Sequence, residues 1–169
     1  MKKLWKYIKN FFLCKRYPWL RMRNVFTGKF CGYKCTWYDV IPEGWKNAFG
    51  KQLINDINQA AGKHKHDLWI TDIKEKWGRL NIYTNGTTDK VLEVIHFYED
   101  LSICYCIECG KPARWITPYG YISYLCNDCS KGKFVERLTK DDIPHHYDKD
   151  SNEIDIGIDY YEMWGIDEK

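Results

Sequence analysis

The chain has 169 residues, enough for one ordinary domain or for a small core with a metal-stapled appendage. Hydrophobic residues make up 44% and aromatic residues 17%, which excludes an intrinsically disordered chain. The net charge of +3 averages two unlike ends: residues 1–38 hold ten Lys and Arg and no acid, whereas residues 141–169 hold ten acids against Lys149 and Lys169.

The first segment, MKKLWKYIKNFFLCKR, resembles a signal peptide at a glance, but Lys6 and Lys9 interrupt its apolar run and no small-residue cleavage site follows. No stretch approaches the ~18 to 20 apolar residues needed to cross a bilayer. The chain therefore reads as intracellular, where thiols stay reduced and paired cysteines point to metal before disulfide. Leu4, Trp5, Ile8, Phe11 and Phe12 recur at helical spacing with lysines between them, a short basic amphipathic helix over residues 2–13. It is expected to dock on its own domain, with weak membrane-surface contact as the alternative.

After Pro18, the run RMRNVFTGKFCGYKCTWYDV alternates aromatic positions around Gly28 and Gly32 and reads as two short strands. A helix is predicted from about Pro42 to Ala61, with Pro42 in its first turn, Glu43 at its dipole and Gly62 as its stop. Its buried stripe is Trp45, Phe49, Leu53 or Ile54, and Ile57. The run DLWITDIKEKWGRLNIYTNG is a β-hairpin turning near Trp77-Gly78, with Leu68, Ile70 and Asp72 on one face and Trp69, Thr71 and Ile73 on the other. A second amphipathic helix follows, capped by Thr88 or Asp89, with Val91, Leu92, Ile95, Tyr98 and Leu101 turned inward.

The run CIECGKPARWITPYGYISYLCNDC then places Cys106, Cys109, Cys126 and Cys129 in two Cys-x2-Cys pairs, the spacing of a four-cysteine zinc site. Two intervening residues let a tight turn aim both sulfurs inward, so that each pair supplies half of a tetrahedron. Between the pairs, RWIT and YISYL flank a Pro-Tyr-Gly turn, and the module reads as a zinc ribbon. A redox dithiol would need only one pair beside a βαβ unit; disulfides and an iron–sulfur cluster are the remaining readings. Four thiolates close the coordination shell, so one structural Zn2+ is expected to hold the fold and do no chemistry. Cys104 is a possible substitute ligand, with packing at the end of the preceding helix as its expected fate. Cys31 and Cys35 would need His64, His66, His145 or His146 to build a second site, against the reading of plain buried thiols.

Enzyme signatures are mostly absent: the sequence has no P-loop, no dinucleotide glycine fingerprint, no His-Glu-x-x-His and no nucleophile elbow, which leaves an enzyme with a site assembled from distant residues as the third reading after the two kinds of binding protein. No catalytic residue is assigned; His96 reads as a helix-surface histidine, and Asp72 with Glu75 as a charged hairpin. For binding, Arg21, Arg23, Lys74, Lys76, Trp77 and Arg79 interleave cations with flat rings, which suits a nucleic acid strand or a signalling nucleotide. The opposing reading places Trp77 and Tyr83 in the core, with the cations simply solvating the hairpin.

Four stretches taken together, YPWLRMRNVFTGK, DVIPEGWKNAFGKQL, ITDIKEKWGRLNIYTNG and the cysteine module, resemble in this order a family of small phage and prophage proteins. The resemblance covers about residues 17–131 and does not include the Cys31/Cys35 pair. It implies a phage accessory protein acting in the bacterial host cytoplasm, antagonising host defence by binding a defence-system protein or sequestering its nucleotide signal. The expected architecture is α+β, a small antiparallel sheet with two main helices plus the zinc ribbon. Its parts are a basic amphipathic helix (1–16), an α+β core (17–103), the ribbon (104–132) and an acidic C-terminal tail (133–169).

Overall fold

The computed structural model describes residues 2–24, 26–146 and 152–166; Lys149 and Lys169, the two cations of the acidic segment, lie outside them. The fold is α+β. In chain order come α1 (Lys2–Arg16), a 3-10 turn at Pro18–Leu20, α2 (Trp37–Val40), α3 (Glu43–Trp45) and α4 (Lys51–Ala61). The hairpin β1 (Trp69–Lys76) and β2 (Arg79–Asn85) follows, then α5 (Asp89–Leu101), β3 (Trp115–Ile116), β4 (Tyr124–Leu125), β5 (Glu136–Arg137) and α6 (Tyr160–Trp164).

The core lies between the hairpin and the α4–α5 pair. Trp45, Phe49, Leu53, Ile54 and Ile57 bury from the central helical segment, and Val91, Ile95 and Tyr98 from α5. Tyr98 Oη ties the two helices by donating to Asp56 Oδ2 at 2.6 Å. Continuous helix runs from Glu43 to Ala61, but residues Lys46–Gly50 form a π-helical turn, and Pro42 stands just outside as the cap instead of in the first turn. Gly62 ends the helix at φ +50°, the backbone region that side chains disfavour.

The hairpin departs from the expected strict alternation. Ile70 pairs with Thr84 and Asp72 with Tyr83, which leaves Thr71 as an extra residue in a β-bulge. That one-residue slip turns both Ile70 and Ile73 into the core, where simple alternation would separate them. The described residues of 19–36 likewise form no regular strand pair. Arg21 bridges Thr36 and Arg23 bridges Phe30 as isolated antiparallel contacts around an irregular loop.

Helix α1 does dock on its own domain, but through a different face from the apolar stripe. Asn10 and Cys14 are buried, while Leu4 (66% exposed), Trp5 (73%) and Phe12 (61%) face solvent.

The segment read as an acidic tail is not merely a tail. β5 adds to the edge of β3, giving the ribbon the three-stranded antiparallel order β4-β3-β5. Leu138, Tyr160 and Trp164 bury against Ile103, Cys104 and Ala113 in a second small core. Trp164 stacks on Tyr124 with ring centroids 6.2 Å apart. The acids among the described residues of this segment are exposed, and a single fully buried aromatic contributes about 1.5–3 kcal/mol.

Candidate metal centre and aromatic tip

The 3-10 turn Ser102–Cys104 that ends α5 delivers the chain to the first cysteine pair. Cys106 N–H donates to Lys111 O at 2.8 Å, and Gly110 N–H donates back to Cys106 O at 2.9 Å, closing a tight knuckle. Gly110 sits at φ +85°, and a Cβ there would approach Gly44 O to 2.5 Å. Gly44 in turn donates its N–H to Ile107 O at 2.9 Å, and its own Cβ would meet Cys106 O at 2.1 Å. The knuckle thus lies backbone to backbone on the start of α3, an approach only two glycines permit. The second knuckle follows β4, with Ser130 N–H donating to Cys126 O at 3.0 Å.

These two turns bring four sulfurs together. The ligand atoms of Cys106, Cys109, Cys126 and Cys129 all lie within 4.8 Å of one another, and Cys109 Sγ is 3.5 Å from Cys126 Sγ. All four are free thiols. A tetrahedron with Zn–S near 2.3 Å has sulfur–sulfur edges of about 3.8 Å, so the cluster fits one metal ion with a modest adjustment. Cys106 and Cys126 are buried and the other two half-buried. Burial opposes ionisation of Cys126, but hydrogen bonds from the Cys129 and Asp128 backbone and from Cys109 draw its thiol below the ordinary value. Burial, with hydrogen bonds among neighbouring sulfurs, pushes Cys109 and Cys129 the other way. A cation in their midst is what allows all four to be thiolates at once.

Among the described residues this is the one group of His, Cys, Asp and Glu able to hold a metal ion. Cys104 stays out of it, fully buried at the end of α5. Cys31 is exposed and Cys35 half-buried, their sulfurs resting near backbone carbonyls of Lys29 and Thr36. Of the histidines that could have joined them, His64 faces Asp67, His145 pairs with Glu153 and His146 lies 3.7 Å from Asp100.

The six residues proposed for an anionic ligand do not share a pocket. Arg23 lies over the Trp69 ring at 5.7 Å, at the start of β1. Trp77 is at the far end of that eight-residue strand, about 26 Å away at ~3.3 Å per residue. Arg79 is engaged by Asp100 at 2.6 Å and by Glu99 at 3.8 Å. Lys74 pairs with Asp72 at 2.7 Å and covers the Tyr83 ring. Arg21 is half-buried beside Thr36, and Lys76 is exposed on the hairpin. Asp72 and Glu75 have structural partners too, Glu75 accepting from Gly78 N–H at 2.6 Å and from the Tyr121 hydroxyl. A cleft of about 580 Å3 between α1 and the segment 38–52 is lined by Lys9, Asp39, Glu43 and Lys46, among others.

What the hairpin and ribbon build together is an exposed aromatic tip. A Cβ on Gly78 would lie 2.9 Å from the Tyr124 ring and 3.0 Å from Ile122, so the hairpin turn abuts the ribbon. Trp77 is 68% exposed and holds φ +57°, the left-handed region where Asn or Gly is usual. Tyr119, Tyr121 and Phe134 are also more than 70% exposed, and Tyr119 stacks on Phe134 at 6.0 Å. Sequence reasoning missed this grouping because Phe134 is contributed from beyond the ribbon. The available signal was a Trp, at Trp77-Gly78, where a two-residue hairpin turn usually has Asn or Asp before Gly. No helix among the described residues is long and apolar enough to cross a membrane. Compared with protein families, with curated proteins and with solved structures, the chain matches none, so its function is argued from these two sites.

Proposed function

We propose that this chain is a non-catalytic binding protein in which a structural zinc holds an aromatic tip toward a protein partner. The carrying observation is the abutment of the ribbon on the hairpin turn, beside which Trp77, Tyr119, Tyr121 and Phe134 are all exposed. Exposed Trp and Tyr on a rigid support are the residues that dominate protein–protein binding energy. A Trp held at positive φ costs local stability, of the order of 1 kcal/mol or more, and such strain is characteristic of functional positions. Zinc is the metal chosen by four thiolates in a closed shell, where it contributes folding energy and offers no open position for substrate.

On the resemblance of residues 17–131 to phage and prophage proteins, the partner we infer is a bacterial host protein, with a component of host defence as the first candidate. Expressed in a bacterial host and captured from lysate, the wild-type chain is expected to retain one dominant protein that Trp77→Asn with Phe134→Ser loses. Both substitutions lie on exposed side chains, so melting should be unchanged, or raised by relief of the left-handed Trp. Retention of the same protein by the double variant would overturn the assignment of the tip. Metal analysis should return one zinc per chain, and metal-free protein with unchanged melting would overturn the metal assignment.

A further inference from the structure

We infer that α1 is a membrane-surface element that seats the protein on an anionic lipid bilayer. At 100° per residue, Leu4, Trp5, Tyr7, Ile8, Phe11 and Phe12 fall within one arc of about 160°. All six are exposed, from 39% for Ile8 to 73% for Trp5. The flank of the helix beside Tyr7 is already committed to the domain. Asn10 and Cys14 are buried, with Asn10 donating to Tyr33 O at 3.1 Å and to Asp39 Oδ2 at 3.0 Å.

The charge pattern identifies the occupant. Helix α1 carries Lys2, Lys3, Lys6, Lys9, Lys15 and Arg16 and no acid, and residues 17–38 add Arg21, Arg23, Lys29 and Lys34, again without an acid. Trp, Phe and Leu on one face with Lys and Arg along its margin is the composition of helices that lie in the plane of an anionic interface. The helix is held to the domain through Lys6, Asn10 and Cys14. It offers a long, nearly flat face about 22 Å in length at 1.5 Å per residue. The face continues into the next segment: Tyr33 packs edge-on against Tyr7 at 5.5 Å, Phe11 at 5.2 Å and Phe30 at 4.8 Å. That segment carries Phe26, 96% exposed, at the tip of its Asn24–Lys29 turn. Apolar rings on helix and loop, set among cations of which Lys6 is paired with Asp39, match acyl chains beneath phosphate headgroups.

Flotation of the zinc-loaded chain with vesicles tests this. It should rise with phosphatidylglycerol–phosphatidylcholine vesicles and stay behind with phosphatidylcholine alone, and binding should weaken as salt is raised. Trp5→Glu with Phe12→Glu should lower the partition at least about tenfold, since each buried ring supplies a factor of that size. Lys3→Glu with Lys9→Glu should abolish the preference for anionic lipid while leaving the apolar face intact. Brominated acyl chains should quench a component of tryptophan emission that Trp5→Phe lacks, a readout that does not depend on a charge-bearing variant remaining folded. Failure of folded wild-type protein to float with anionic vesicles overturns the inference. So does a concentration-dependent dimer that Phe12→Glu dissociates, without vesicle binding, since the face would then cover a second copy.

Discussion

Asn10, buried on the inner side of α1, donates its amide to the Asp39 carboxylate at 3.0 Å, and the same Asp39 oxygen accepts from Thr36 N–H at 2.8 Å. One carboxylate therefore both closes the capping box of α2 and pins the basic helix to the domain, with Lys6 Nζ 3.2 Å from its other oxygen. Burial raises the pKa of Asp39, but the hydrogen bonds from Thr36 and Lys6 outweigh it and hold the carboxyl below its ordinary value of 3.8. A depressed folded-state pKa means that the unfolded chain binds the proton more tightly. The stabilisation is thus fully present above the ordinary value and is lost as pH falls through the folded one. Asp39→Asn should melt lower than wild type at pH 7, and the difference should shrink as pH drops below about 4. Metal content must be measured at each pH, because acid also protonates the thiolates. A gap that stays constant with pH would show that the carboxylate charge is not what pins α1.

Gly44→Ala and Gly110→Ala should each destabilise the protein by about 1–3 kcal/mol or more, as overpacking against backbone atoms does. At Gly44 the new methyl would overlap Cys106 O and Ile107, so the loss should be accompanied by weaker metal retention under chelator competition. Gly28→Ala is the control: it too lies at positive φ, but a Cβ there meets nothing within 4 Å and metal retention should be unchanged. Equal metal retention in Gly44→Ala and Gly28→Ala would contradict this contact.

Ser102 joins three elements at one buried residue. Its hydroxyl accepts from Leu80 N–H at 2.9 Å and donates to Glu99 O at 2.6 Å, while its carbonyl accepts from Trp45 Nε1 at 2.9 Å. Ser102→Ala removes the acceptor and strands the Leu80 N–H, at an expected cost of about 1–3 kcal/mol in chemical denaturation. A change below about 0.5 kcal/mol would mean that the amide finds another acceptor.

Thiol titration should sort the eight cysteines by environment. In the metal-loaded native protein, Cys31 should react quickly with Ellman's reagent and Cys35 more slowly, since they alone are neither buried nor clustered. Cys14 is 1% exposed, and burial pushes its thiol up to about 11, so it should react only on unfolding. Chelation should release the four ribbon thiols as a separate phase. Reaction of those four before chelation would argue against a bound metal.

The four-cysteine cluster was readable because its information is local: two residues between sulfurs force a knuckle, and a hairpin between knuckles makes the halves meet. The buried stripes of α4 and α5 were readable because helical periodicity marks an apolar side, and in these two helices packing covers that side. Alternation failed at Thr71 because a bulge is a choice of pairing partner made across two strands, and neither strand announces it alone. The cations of the hairpin read as free because Asp100 and Glu99, which engage Arg79, arrive from a helix some twenty residues later.

By itself the sequence determined an α+β protein, its four-cysteine cluster, its hairpin turn and its basic first helix, all features set by spacing within a few residues. Tertiary structure alone decided that the acidic segment adds a strand and buries Trp164, that the hairpin turn abuts the ribbon, and that α1 docks through Asn10 and Cys14. The physical reason is the same in each case. An amphipathic pattern states that a face is apolar, but only packing against the rest of the chain decides whether that face is covered or left for another surface.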